Sequence, residues 1–113
     1  MQIQSGDKLY LITRKDISAG YQAVQACHAL RQFTEEHPEV DKEWFTRSNY
    51  LCLLSVGNEA ELYSLICKAK DKDIRVSVFR EPDIDNQITA IALEPGIKSK
   101  ELTTNLKLAL RDM

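Results

Sequence analysis

Hydrophobic and polar positions along this chain switch repeatedly between a period near two and a helical period. Lys8-Leu9-Tyr10-Leu11-Ile12-Thr13-Arg14 is a short, apolar, β-prone run and predicts a strand. Asp16-Ile17-Ser18-Ala19-Gly20 breaks it, with Ser18 placed to cap the next element. Between about Tyr21 and Glu36 the residues Ala23, Cys27, Leu30 and Phe33 recur at helical spacing. His37-Pro38 interrupts that pattern, and Pro38 suits the first turn of a second, short helix reaching about Thr46. Asn49 to Val56 reads as the second strand. Asn58 with Glu61 reads as a helix cap and its partner, and Leu62, Leu65, Ile66 and Ala69 line one face of the third helix. Arg75 to Phe79 predicts a third strand, residues 81–86 a loop, and Ile88 to Leu93 a fourth strand. After the Pro95-Gly96 turn, Leu102, Leu106, Ala109 and Leu110 mark a last helix.

The predicted order is β-α-α-β-α-β-β-α in a single domain, 1–113. Two strand–helix–strand units favour parallel neighbours joined by right-handed crossovers. The short connection at 80–87 has no room for a crossover helix, so the fourth strand is expected antiparallel to the third where they adjoin. The expected fold is therefore α/β: a mixed four-stranded sheet with helices on both faces.

Composition narrows the class without naming it. Apolar residues make up 43% of the chain and charged residues 28%, an ordinary globular balance that argues against disorder. A net charge of -2 excludes a strongly basic nucleic-acid coat, though not a local basic patch. The three cysteines, Cys27, Cys52 and Cys67, are odd in number and show no C-x-x-C, which argues against a disulfide scaffold or a structural zinc site. A zinc enzyme built on His28, His37 and the cysteines has no support in spacing. Cys52 and Cys67 lie in apolar stretches and read as small core residues. The first residues lack the basic and apolar regions of a secretory signal, and no apolar run approaches the roughly 20 residues of a membrane span. A cytoplasmic location with no membrane association is the expectation.

In open α/β sheets ligands gather beyond the carboxyl ends of the strands, which draws attention to 14–28 and 80–87. Tyr21, Gln25, His28 and Gln32 fall at i, i+4, i+7 and i+11 and share one polar stripe. The stripe reads either as a solvated helix face or as the floor of a site in which His28 titrates near neutral pH. Glu81, Asp83 and Asp85 alternate in the loop. A calcium loop is ruled out, because the turn position lacks Gly and Ala92 stands where the closing Glu belongs. The cluster is a surface turn, a looser metal site, or a source of a base or water-positioning carboxylate. Arg14, Lys15, Arg31 and Arg80 are candidates to converge on phosphate, or are ordinary solvated charge.

These residues carry a resemblance to the type 2 peptidyl-tRNA hydrolase family, the archaeal and eukaryotic kind, along about 8–110. Arg14-x-Asp16 resembles the end of that family's opening strand. Gly20 with Ala23-Val24-Gln25-Ala26-Cys27-His28-Ala29 resembles its helix start, with the Cys and a small residue exchanged. Arg75 to Phe79, then an acid and a Gln, resembles its third strand and the loop after it. Thr89-Ala90-Ile91-Ala92-Leu93-Glu94-Pro95 resembles its Thr-Val-Leu-Ala-Ile-Gly-Pro strand. The chain departs from the pattern where Ser18-Ala19-Gly20-Tyr21 replaces a Gly-Lys-Gly-Lys loop, so Tyr21 stands at a lysine position. Asp85 replaces the loop Arg, and the loop Asp corresponds to Glu81 or its neighbour Asp83.

The resemblance implies hydrolysis of the ester between a blocked amino acid or peptide and the acceptor end of tRNA, without a cofactor or metal. In that reading Glu81 or Asp83 orients or activates water, Thr89 and Gln25 hydrogen-bond the substrate or the oxyanion, and His28 is a site group or a buttress. Arg14, Tyr21, Arg31, Arg80 and Gln87 form the implied substrate-binding set, and a homodimer is compatible. Exchange of a lysine for Tyr21 removes a cation, which leaves a second reading: a non-catalytic member that binds RNA, a nucleotide or a protein.

Overall fold

The computed structural model describes residues 2–111. The elements are β1 (Lys8–Arg14), α1 (Ala19–Glu36), α2 (Pro38–Arg47), β2 (Tyr50–Val56), α3 (Glu59–Asp71), β3 (Val76–Glu81), β4 (Gln87–Leu93), α4 (Ile97–Leu102) and β5 (Lys107–Leu108), with a 3-10 turn at Pro82–Ile84. The sheet runs in the order β3-β4-β1-β2-β5. β1 and β2 pair in parallel, and β4 runs antiparallel to both β1 and β3, as the short 80–87 connection requires. β2 and β3 are not neighbours: β1 and β4 lie between them. β1, β2 and β3 nevertheless point the same way, so segments 14–28 and 80–87 share one end of the sheet.

Helices cover both faces. On one, α1 and α2 bury Ala26, Ala29, Phe33, Val40 and Trp44 against Leu9, Leu11, Ala90 and Ala92. On the other, α3 buries Leu62, Leu65, Ile66 and Ala69 against Tyr10, Ile12, Leu54, Ile91 and Leu93. The local signals explain the element ends. Pro38 opens α2, and Asn58 caps α3 by accepting the Glu61 N–H at 3.0 Å, while the Glu61 carboxylate reaches back to the Gly57 N–H.

Three expectations need correction. The sheet has five strands rather than four, because the tail does not form a helix through Leu106, Ala109 and Leu110. Thr103 and Thr104 direct their hydroxyls to the carbonyls of Ser99 and Lys100 and close α4, and Lys107–Leu108 pair with Leu54 and Ser55 on the open edge of β2. α1 is also rotated from the face its apolar spacing suggests. Its buried residues are Gln22, Gln25, Ala26, Ala29 and Phe33, whereas Cys27 is exposed. The small side chains of Ala26 and Ala29 meet Ala90 and Ala92, so small residues on both sides of this helix–sheet contact hold α1 against the sheet. Finally, Cys67 is exposed on α3 rather than in the core.

One irregularity positions chemistry. Phe79 pairs with Ala90 and Arg80 pairs with Ile88, so Thr89 has no partner on β3. Strict alternation would aim Thr89 to the α3 side with Ile91 and Leu93. The bulge resets the phase: Ile88 joins the α3-side core, and Thr89 turns to α1.

Candidate active site

The polar stripe of α1 lies along β3, with Gln25 buried, Tyr21 and Gln32 half-buried and His28 exposed. Gln25 is fully buried and donates from Nε2 to Glu81 Oε1 at 2.9 Å. The Thr89 hydroxyl donates to Gln25 Oε1, and Thr13 Oγ1 donates to the Thr89 carbonyl at 3.0 Å. The His28 ring stacks on Phe79 with centroids 4.5 Å apart and planes 14° from parallel. Gln32 donates to the Val78 carbonyl at 2.9 Å. Gln25, His28 and Gln32 thus meet β3 in turn at Glu81, Phe79 and Val78.

Glu81 is the focus of this arrangement. It ends β3 on the α1 side and is only 8% exposed. Its second oxygen accepts the Asp83 backbone N–H at 3.3 Å, capping the 3-10 turn. Asp85 and Asn86 come next with φ of 60° and 59°, a left-handed pair these residue types tolerate, and the Asn86 N–H closes back on the Glu81 carbonyl at 3.0 Å. The loop therefore holds the carboxylate from its own backbone. The Gln25 hydrogen bond, then the Asp83 N–H, then His28 and Tyr21, hold the Glu81 carboxyl below its ordinary range and outweigh its partial desolvation. The Tyr21 phenol is pushed up by desolvation and by the charges of Glu81 and Asp83, so it stays a neutral donor at physiological pH.

A carboxylate offers about four acceptor positions, and two on Glu81 are used by Gln25 and Asp83. The remainder, with Tyr21 and His28 nearby, can hold a water and aim it. Asp83 itself is exposed, and it contributes to this site through its backbone.

The proposed cations do not gather here. Arg14 lies on the α3 side of β1 and is buried. Its Nε and Nη2 make a paired contact with Asp16 at 2.7 and 2.9 Å, and Nη1 donates to Gln87 Oε1 at 2.8 Å and to the Ile88 carbonyl at 3.1 Å. Both Arg14 and Gln87 are thereby occupied within the fold. Arg31 is exposed and pairs with Glu35, turned about 120° around α1 from Gln25. Arg80 donates to the Asn86 carbonyl at 3.3 Å, bracing the loop from the other side of β3. Thr13 and Phe79 escaped the sequence reading. Thr13 shares its parity with Leu9 and Leu11, and a polar residue at a core phase was the available signal. Among the described residues no group of three or more His, Cys, Asp or Glu is placed to hold a metal, and no helix is long and apolar enough to cross a membrane.

Comparison with known proteins gives three findings. Residues 7–109 match the model of the family described as Peptidyl-tRNA hydrolase PTH2. A peptidyl-tRNA hydrolase of Staphylothermus marinus is 32% identical over 113 aligned residues, spanning 89% of this chain and 93% of its own length. The solved structure of a protein of unknown function from Agrobacterium tumefaciens strain C58 superposes with a TM-score of 0.65 at 16% identity, covering 90% of this chain and 96% of that one. The last similarity speaks to the fold alone.

Proposed function

This chain belongs to the type 2 peptidyl-tRNA hydrolase family, a membership that supports peptidyl-tRNA hydrolysis as its function, and from that premise we propose that Glu81 is the carboxylate that positions the attacking water. The observation that supports the assignment is the buried relay Thr89–Gln25–Glu81, which favours Glu81 over Asp83.

The substrate ester joins an acyl group to a ribose hydroxyl of the tRNA. Water adds to the carbonyl, the Glu81 carboxylate accepts its proton, and the C–O bond to the ribose breaks as that oxygen takes up a proton. A free carboxylic acid and a free tRNA result. A base of depressed pKa is a weak one, so Glu81 acts chiefly by fixing the water and by placing negative charge near the proton that leaves. Gln25 fixes the carboxylate, and Thr89 fixes the orientation of the Gln25 amide. The Tyr21 hydroxyl, which faces Glu81, adds a neutral donor beside the carboxylate, where a lysine would supply a charge. His28, held flat on Phe79, lines the approach to Glu81.

The test is release of an N-blocked amino acid from its tRNA by wild type, Glu81→Gln and Asp83→Ala. Loss of a positioned acid–base group typically lowers kcat by 10²–10⁴. At least a 100-fold loss in Glu81→Gln, with Asp83→Ala within threefold of wild type, is expected. The reverse order would transfer the role to Asp83. Absence of turnover by wild type above the spontaneous rate would favour the binding-module reading, for which the uncharged Tyr21 is the supporting observation.

A further inference from the structure

The first turn of α1 has two sides. Tyr21 turns to Glu81, while its neighbour Gln22 turns to a separate cleft of about 300 Å³ between the exits of β1 and β2 and the tail strand β5. Lys15, Lys107 and Arg111 line this cleft together with Ile17 and Leu108. Among the described residues none of the three cations takes part in an ion pair, and no carboxylate lines the cleft. This local excess stands out in a chain of net charge -2. The nearest acid in sequence, Asp16, is taken by Arg14.

Two further observations point to a ligand. Gln22 is 4% exposed and donates its Nε2 to the Ile17 carbonyl at 2.7 Å, but its buried Oε1 has no partner among the described residues. A buried polar atom left so is unfavourable unless something supplies a donor. In addition, Ser18 makes no side-chain cap and the first turn of α1 holds no acid, so the positive end of an 18-residue helix is not neutralised locally. The cleft therefore offers cations for an anion and an acceptor for a hydroxyl, the two groups that alternate along a ribose-phosphate backbone.

We propose that the cleft of Lys15, Lys107, Arg111 and Gln22 is a phosphate-binding subsite for the RNA backbone of the substrate, separate from the Glu81 site. The proposal rests on the assignment of tRNA as substrate. It explains how a site whose own cations are spent within the fold grips a polyanion: the charge lies in a separate cleft beside the first turn of α1, on Lys15 and on residues brought in by the tail. Lys107 enters only because β5 pairs with β2.

The experiment compares a Lys107→Gln, Arg111→Gln double variant with a Lys70→Gln, Lys72→Gln double variant, which removes the same charge from exposed positions at the end of α3. Binding of deacylated tRNA is titrated against salt, and hydrolysis is measured on N-blocked aminoacyl-tRNA and on a short 3′ fragment that ends before the stem. The cleft variant is expected to bind tRNA at least tenfold more weakly at low salt, with a salt slope shallower by about 1 per lost phosphate contact. Its kcat/KM loss is expected to be several-fold larger on the full tRNA than on the fragment, while the control variant stays close to wild type. A cleft variant that tracks the control in both binding and slope overturns the proposal. Inorganic phosphate separates the remaining source: if the variant loses affinity for phosphate alone but not for tRNA, the RNA assignment is overturned. If wild type hydrolyses neither substrate, the catalytic reading fails, and the tRNA titration still decides the cleft.

Discussion

Two polar clusters sit at the same end of the sheet, on opposite faces, and they are built to opposite ends. On the α3 side, Arg14 gives Asp16, Gln87 and the Ile88 carbonyl four hydrogen bonds from a group with five donors. On the α1 side, Glu81 accepts from Gln25 and Asp83, faces Tyr21 and His28, and keeps acceptor capacity toward solvent. The first cluster is saturated and ties β1 to the start of β4. The second is oriented but unfinished, and that remainder is what a substrate water can use. Charged residues near a site are therefore poor guides to function until their partners are counted.

The comparison breaks most sharply through its two central residues. Glu81→Gln is expected to lose at least 100-fold in kcat while its melting temperature stays within a few degrees of wild type, because Gln keeps the volume and one acceptor. Arg14→Met is expected to do the opposite. It leaves Asp16, Gln87 and a buried carbonyl without their donor, at a cost of about 2–3 kcal/mol, reduced from the fully buried case because Asp16 is partly exposed. That corresponds to roughly 10–20 °C in a domain of this size, with kcat/KM of the folded fraction little changed. Should Arg14→Met keep its stability and lose activity, Arg14 belongs to the site after all.

Finer tests act on the relay. Gln25 is the largest cause holding the Glu81 carboxyl low. A depressed carboxyl stays ionised as pH falls, so the acid limb of the wild-type rate profile is expected below the ordinary glutamate value of about 4.3. Gln25→Leu is expected to raise that limb toward the ordinary value and to lower kcat about tenfold. An unmoved limb would mean the hydrogen bond does not set the pKa. Thr89→Val keeps the shape but removes the donor to Gln25, and a loss of about threefold to tenfold, near 1 kcal/mol, is expected in kcat. The smallest effect is on stability at low pH. Arg14 holds the Asp16 carboxyl below its ordinary range, chiefly through their hydrogen bond. This contribution is present above the unfolded aspartate value of about 3.9 and is lost as pH falls through the lowered folded value. Asp16→Asn is expected to flatten that part of the acid unfolding curve.

Much of this was legible in the residues. The β1, β2 and α3 runs show strong periodicity and clear caps, and Gln25, His28, Glu81 and Thr89 stand out in the sequence as candidates. The rotation of α1 was not legible, because Gln25 reads as a surface residue until the Thr89 and Glu81 groups that satisfy it are in place. The proposed preference for Glu81 over Asp83 rests on the loop geometry, since both are acids two residues apart. Lys107 and Arg111 were hidden because Leu106, Ala109 and Leu110 imitate a helical face, and only the free edge of β2 shows why the tail extends instead.

The succession of elements from β1 to β4, the two-faced core and the residue types available for chemistry come from local pattern, because burial period and turn chemistry act over a few neighbours. The phase of Thr89, the partners that occupy Arg14 and the meeting of Lys15 with Lys107 and Arg111 were decided by tertiary structure. Each depends on hydrogen bonds or charges between residues dozens of positions apart, and no local periodicity carries that information.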